Sequence, residues 1–410
     1  ARFRYLAKVS NSIGRKKVAP PAVTIIGAGI GGLTAALALQ KHGISVQLYE
    51  QANELSEIGA GINISPNGLK VLYALGLHDE IEKIRFQPQA IALRHFESGE
   101  TFFENPFNEQ FFETFQAPFY AFHRADLHKM LLEAVANNNP TCITVGKRLI
   151  ALDENDSGVS LEFEDGSKLA AQIVIGADGV HSTVRTLRHK ELKAEFTGHV
   201  AYRGMVRVTD VEKDLIEPKM NLWAGPKAHV VAYYVRRGEL LNYVALNEED
   251  DWQTENWTTP ASKADLAARF EHWNPTVRSL IDHTQEGQCY KWAILMRDPL
   301  SSWSSARTTL LGDAAHPMVP YLAQGSVMAI EDAWVLTHCL GNYEQPAEAL
   351  GAYEQARLER TADIQRAAWK QGQLTHAVGS GRDISERREG GGFEDSGWIY
   401  GHDVCALYPM

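Results

Sequence analysis

Cysteine is scarce in this chain. Four occur in 410 residues (Cys142, Cys289, Cys339, Cys405), and none forms a Cys-x-x-Cys pair. That spacing excludes a disulfide framework and a zinc ribbon, and it fits reduced thiols in a cytoplasmic protein. Long apolar runs are also missing: nothing approaches the roughly 18 residues that a membrane-spanning helix needs. Positive charge is in deficit, with 40 Lys and Arg against 51 Asp and Glu, a net charge of −11 and a pI near 5.8. Nucleic acid and an anionic membrane are therefore poor candidates for the main partner, although a local basic groove can still form around an anionic ligand. His123 and His128 flank Asp126 at a spacing that does not set three ligands on one helix face, so no metal is expected.

Residues 1–22 stand apart. They carry Arg2, Arg4, Lys8, Arg15, Lys16 and Lys17 without an acid, and end in Pro20-Pro21. With no apolar core they do not read as a secretory signal. A solvated extension is expected, with a transit-peptide remnant or an electrostatic tether as the alternatives.

What is present is more telling. Val23-Thr24-Ile25-Ile26 runs into Gly27-Ala28-Gly29-Ile30-Gly31-Gly32, then into an Ala/Leu-rich stretch to about His42, and then into Ser45–Tyr49 ending in Glu50. Gly27 permits the tight turn, Gly29 lets backbone approach a pyrophosphate, and Gly32 allows close helix–strand contact. The helix start offers N–H groups and a positive dipole end to phosphates. Glu50 stands where an acid accepts hydrogen bonds from a ribose. The unit predicts a dinucleotide, leaving FAD and NAD open.

Two further strand ends repeat the pattern. Ile173-Val174-Ile175-Gly176 leads into Asp178-Gly179, with Ser182 and Arg185 at a following helix start. Leu310-Leu311-Gly312-Asp313 leads through a loop with Pro320 to Gln324-Gly325-Ser326, the start of another helix. Between these motifs the pattern turns antiparallel: short aromatic strands over 91–122, a hairpin at Asp165-Gly166, and alternating segments over 200–247. Helices are expected at about 127–136, 325–340 and 346–376.

The three motifs in this order resemble the single-component FAD aromatic hydroxylases akin to salicylate and 3-hydroxybenzoate hydroxylases. The likeness runs from Val23 to Arg366, with echoes at Gly59-Ala60-Gly61-Ile62, Ala201-Tyr202-Arg203-Gly204 and Trp398–Asp403. It implies an α/β fold: a Rossmann-like FAD-binding domain, an inserted, mainly antiparallel substrate domain, and a C-terminal helical segment. The expected division is an extension over 1–22, FAD-binding parts over 23–90, 123–195 and 291–345, substrate-domain parts over 91–122 and 196–290, and a C-terminal helix and tail over 346–410. The resemblance also implies that Gly27, Gly29 and Gly32 hold the pyrophosphate and Glu50 the adenosine ribose. Arg124 would meet the phosphate or ribityl region, and Asp313 the ribityl chain. Asp178 and Gly179 would serve the flavin and a transient nicotinamide, with Gly61 and Gly325 also at the cofactor.

Only one Gly-x-Gly-x-x-Gly is present, so NADH or NADPH is expected as a visiting co-substrate. The implied reaction is hydroxylation of a small aromatic, a phenolic carboxylate, by O2 through a flavin C4a-hydroperoxide, in a monomer or homodimer. A same-fold oxidoreductase or epoxidase acting on an isoprenoid or polycyclic compound is the main alternative. A non-catalytic FAD-binding regulator is a second.

For ring activation, His229 and Tyr233 lie four apart on a predicted strand and so share a face. They are candidates to polarise or deprotonate a substrate hydroxyl, or else an interior hydrogen-bonded pair. Gln324 would orient the hydroxyl from its loop, or merely neighbour a helix cap. Arg203 would hold a carboxylate, or pack as a snorkelling strand residue. Pro320 would shape the ring-facing loop. Tyr202, Met220 and Trp223 are candidate pocket walls, and Asn63, where some related enzymes carry histidine, is not expected to act as a base.

Overall fold

The β-branched run Val23–Ile26 lies at the centre of a five-stranded parallel sheet. Across that sheet the strands run Thr308–Leu310, Ile173–Gly176, Val23–Ile26, Val46–Tyr49 and Ile143–Thr144. Parallel strands covered on both faces need near-continuous apolar sequence, which Ile173–Gly176 and Val23–Ile26 come closest to supplying. The structure is a computed structural model and describes residues 23–55, 59–189, 194–249, 259–376 and 396–410. The basic segment 1–22 lies outside the described residues, as does the Gly/Arg/Glu-rich stretch before Ser396.

The helix Ile30–Lys41 follows the glycine turn and packs against Arg124–Asn138 and Gly325–Asn342. The turn tolerates only glycine at two points. Gly27 sits at φ +106°, where a Cβ would fall 2.4 Å from the Ala177 carbonyl oxygen, and a Cβ on Gly32 would fall 2.0 Å from that of Gly27. The expected hairpin forms between Gly158–Phe163 and Lys168–Ala171, with Leu149–Asn155 added as a third strand. Lys168–Ala171 stops at Gln172, and the next strand, Ile173–Gly176, enters the parallel sheet.

A second, seven-stranded sheet is ordered Tyr290–Met296, Glu195–Arg207, Leu240–Glu248, Ala228–Val235, Met220–Gly225, Ala90–His95 and Thr101–Pro106. All neighbours are antiparallel except Met220–Gly225 and Ala90–His95. Strand alternation gives the sheet two apolar faces. On one, Tyr202, Trp223, Val230 and Tyr243 form a core with Leu266, Phe270, Val277 and Leu280 of the helices Lys263–Arg269 and Pro275–Asp282. The other face fronts a cavity. Tyr202 and Trp223 are thus not pocket walls, because their strand neighbours Arg203 and Leu222 take the cavity side; Met220 does line it.

The aromatic stretch 91–122 is only partly sheet. Glu109–Phe115 is a helix whose N-cap, Asn108, accepts the Phe111 N–H at 3.1 Å. Tyr120–His123 pairs instead with Gly61–Ile64. The long helices Gly325–Asn342 and Pro346–His376 close the molecule, and no helix among the described residues is long and apolar enough to cross a membrane.

Candidate active site

A cavity of about 1490 Å³ extends from the glycine turn to the inner face of the seven-stranded sheet. Small-molecule pockets commonly measure about 300–1,000 Å³, so this one has room for an extended cofactor and a second ligand together.

At the first end, the turn is held open by its neighbours. A Cβ placed on Gly29 meets nothing within 4 Å, which leaves its backbone open to a phosphate. Glu50 accepts from Ala28 N–H and Ala52 N–H, both at 2.8 Å, so the carboxylate is fixed beside the turn. His128 meets the Ala28 carbonyl at 2.7 Å, and Asp126 pairs with Arg236 at 2.7 Å, which accounts for that His/Asp cluster structurally. This cradle fits a dinucleotide pyrophosphate with its ribose.

The second and third motifs meet in space. Arg185 donates to the carbonyls of Asp313 at 3.2 Å, Ala314 at 2.9 Å, and Val180. The Asp178 carboxylate is taken up by Ser182 and by Thr183 N–H and Val184 N–H at 2.7 and 3.1 Å, where it caps the helix Thr183–Arg188. Burial raises its pKa against those bonds. Gly179, at φ +75°, lines the cavity beside it. Asp313 opens onto the cavity but is otherwise ringed by protein, which raises its carboxyl against the pull of His316, Arg124, Arg185 and Arg297. Arg124 lines the same region; burial brings its pKa down to about 10, with Asp313 opposing and Arg203 reinforcing the shift. Gly325 begins its helix here, with space that brings a Cβ no closer than 3.6 Å to Asp313.

At the far end, His229 and Tyr233 project from one face of Ala228–Val235 into the cavity, each 4% exposed. The Tyr233 hydroxyl packs on Gly61, where a Cβ would lie 2.5 Å from it. Asn242, the cross-strand partner of Tyr233, accepts the Gly61 N–H at 2.8 Å. Burial raises the Tyr233 hydroxyl far above the usual phenol range, only partly offset by the Asn63 side chain. His229 Nδ1 meets His376 Nε2 at 2.9 Å. Arg203 lies with its guanidinium 4.9 Å from the Tyr290 ring centre, and burial lowers its pKa to about 10. Ile91, Leu222, Val231, Val244 and Trp292 supply apolar wall, and Pro320 opens the short turn Pro320–Leu322 at the rim.

Gln324 is not brought together with this group. It is 2% exposed, its amide donates to Ser65 Oγ at 3.0 Å, and it accepts from Asn67 at 3.3 Å. Its side chain thus joins the helix Pro66–Ala74 to the start of Gly325–Asn342 and does not line the cavity. Asn242, Tyr321 and His376 escaped the sequence reading. No local pattern marks them: His376 reaches His229 only because a helix 147 positions later in the chain ends beside its strand.

Turn, acid and paired strand ends around one long cavity are the architecture of a dinucleotide-dependent oxidoreductase whose cavity continues past the cofactor cradle to the seven-stranded sheet. The chain belongs to the FAD-dependent aromatic hydroxylases: the family described as "FAD binding domain" matches residues 21–368. It is 37% identical to 3-amino-4-hydroxybenzoate 2-monooxygenase of Streptomyces platensis, over 94% of this chain and 97% of that protein. It is 36% identical to 6-hydroxynicotinate 3-monooxygenase of Bordetella bronchiseptica, over 94% and 96%. Among solved structures, a salicylate hydroxylase substrate complex superposes with a TM-score of 0.79 at 26% identity, covering 95% of this chain and 97% of that one. FAD is accordingly the cofactor, and the protein is a flavin-dependent monooxygenase.

Proposed function

We propose that this enzyme hydroxylates a small aromatic acid bearing a ring hydroxyl, using O2 and NADH or NADPH. The carrying observation is that His229 and Tyr233 enter the cavity from one strand face, beside the apolar wall of Ile91, Leu222, Val231, Val244 and Trp292 and with Arg203 also lining it. FAD, bound along the glycine turn and Asp313, supplies the reduction of oxygen. The rest belongs to the protein. A free phenol has a pKa near that of tyrosine, about 10, so its ring is poorly activated at neutral pH. His229 takes up the hydroxyl proton and enriches the ring in electrons. Tyr233, kept protonated by burial, donates a hydrogen bond to the resulting oxygen. Arg203 pairs with the carboxylate, and the apolar wall keeps out water that would uncouple oxygen reduction from ring attack. Arg124, Asp178 and Gly179 serve the cofactor region, where the nicotinamide visits and leaves. The four free thiols support a cytoplasmic location.

The test is NADH oxidation and oxygen uptake with salicylate, 3-hydroxybenzoate, 3-amino-4-hydroxybenzoate and 6-hydroxynicotinate. Steep stimulation by at least one, with a hydroxylated product, is expected. Stimulation by none of them, together with turnover of an isoprenoid or polycyclic compound, would replace this reading.

A further inference from the structure

His229 does not end in the protein interior. Its Nδ1 meets Nε2 of His376, the last residue of the helix Pro346–His376, which is 6% exposed. The other nitrogen of His376, Nδ1, is buried, has no hydrogen-bond partner among the described residues, and stands 3.7 Å from Glu248 Oε1. The Glu248 side chain is 37% exposed and lies 3.7 Å from Lys227, which is 79% exposed. A continuous line of titratable groups therefore leads from the cavity to solvent.

The surroundings hold that line in place. His199 stacks on His376 with ring centres 4.2 Å apart and planes at 25°, and its Nδ1 is engaged by the Tyr321 hydroxyl. Burial brings His199 down to about 4 and His376, with help from His199, to about 3. Both are uncharged at neutral pH, so each ring has one N–H and one lone pair, as a group that both accepts and donates must have. The titratable and charged groups facing His376 are His199, His229, Tyr321, Glu248 and, beyond it, Lys227.

Two other uses fit less well. A pair kept for packing alone would leave a desolvated imidazole nitrogen with nothing in return. His199, Glu248 and His376 also offer three ligand atoms within 4.8 Å of one another. His199 Nδ1, however, is already engaged by the Tyr321 hydroxyl and His376 Nε2 by His229 Nδ1, and stacking at 25° sets the two rings face to face.

The geometry points to His376 and Glu248 as a proton relay that connects His229 to solvent. This rests on His229 being the base proposed above. The substrate O–H bond breaks as its proton joins His229 Nε2. The proton on His229 Nδ1 passes to His376 Nε2, and that on His376 Nδ1 passes to Glu248, by a small carboxylate rotation or one bridging water, and on to bulk. No electrons change hands. Each ring ends in its other tautomer, and the reverse flow that protonates the product oxygen resets both.

The holoenzyme is mixed in weak buffer with whichever of the four ring acids it binds most tightly, and proton release is followed with phenol red. His376→Gln is expected to slow release on the order of 10²-fold, with a much smaller change in Kd and partial rescue by added imidazole. Glu248→Gln, which leaves the buried rings alone, should slow release as well and keeps the test alive if His376→Gln fails to fold. Slow release in His229→Asn beside normal release in both His376→Gln and Glu248→Gln would overturn the relay and leave the base intact. Normal release in His229→Asn, or binding of none of the four acids, would overturn the base reading and the relay with it. Slow His376→Gln without imidazole rescue would make His376 a positioning residue only. A stoichiometric metal in the purified holoenzyme, lost in His376→Gln, would also contradict the relay.

Discussion

His229 and Gly61 are the residues on which the chemistry turns, and they fail differently. His229→Asn should lower hydroxylation by about 10²–10⁴-fold while flavin reduction by NADH falls far less. Hydrogen peroxide should then rise per NADH consumed, measured beside the melting temperature. A destabilised variant with full coupling would make His229 structural. Gly61→Ala places a methyl 2.5 Å from the Tyr233 hydroxyl and 2.6 Å from Asn242. The cost expected in chemical denaturation is about 1–3 kcal/mol, with Tyr233 displaced and peroxide formation raised. The sequence showed His229 and Tyr233 as a pair because strand periodicity is local. It misplaced Gln324, since nothing in its neighbours reveals that Ser65 and Asn67 claim its amide.

At the scale of elements, the helices Gly325–Asn342 and Pro346–His376 are joined by buried charge. Arg357 pairs with Glu331 and Asp332, each at 2.7 Å, and Arg360 adds two bonds to Glu331. Asp332 in turn accepts from Gly312 N–H at 3.0 Å and bonds His316 at 2.6 Å, so the network anchors the turn that presents Asp313. Burial alone would raise the Glu331 carboxyl, but Arg357 and Arg360 overcome it and hold it at about 2. A depressed carboxyl contributes stability that is full above its ordinary value of 4.5 and lost as pH falls toward 2. The melting temperature should decline through that window. Arg357→Met should cost about 3–5 kcal/mol and move the decline to higher pH; an unchanged acid limb would contradict this. Such long-range pairing left no trace in the sequence, although both helices did. The helix Glu109–Phe115 was hidden for another reason. Its aromatic residues favour strand, and packing of Phe111 and Phe115 on Tyr400 overrides that preference.

For the molecule as a whole, the cofactor end was far more legible than the substrate end. Gly27, Gly29, Gly32 and Glu50 fall within one local unit whose spacing carries its own geometry. The chamber is assembled from segments near residues 61, 203, 233, 320 and 376, which only the fold brings together. Purified protein should carry one FAD per chain, and Glu50→Ala or Asp313→Ala should weaken its retention during dialysis; undiminished retention in both would reassign these acids. The most direct test of the account is oxygen uptake under isotopically labelled O2 with NADH and a phenolic acid that binds. The expected result is slow uptake alone, a steep rise with the acid, and one labelled oxygen atom in the ring product. Rapid uptake indifferent to any aromatic acid, with all label in hydrogen peroxide, would contradict it.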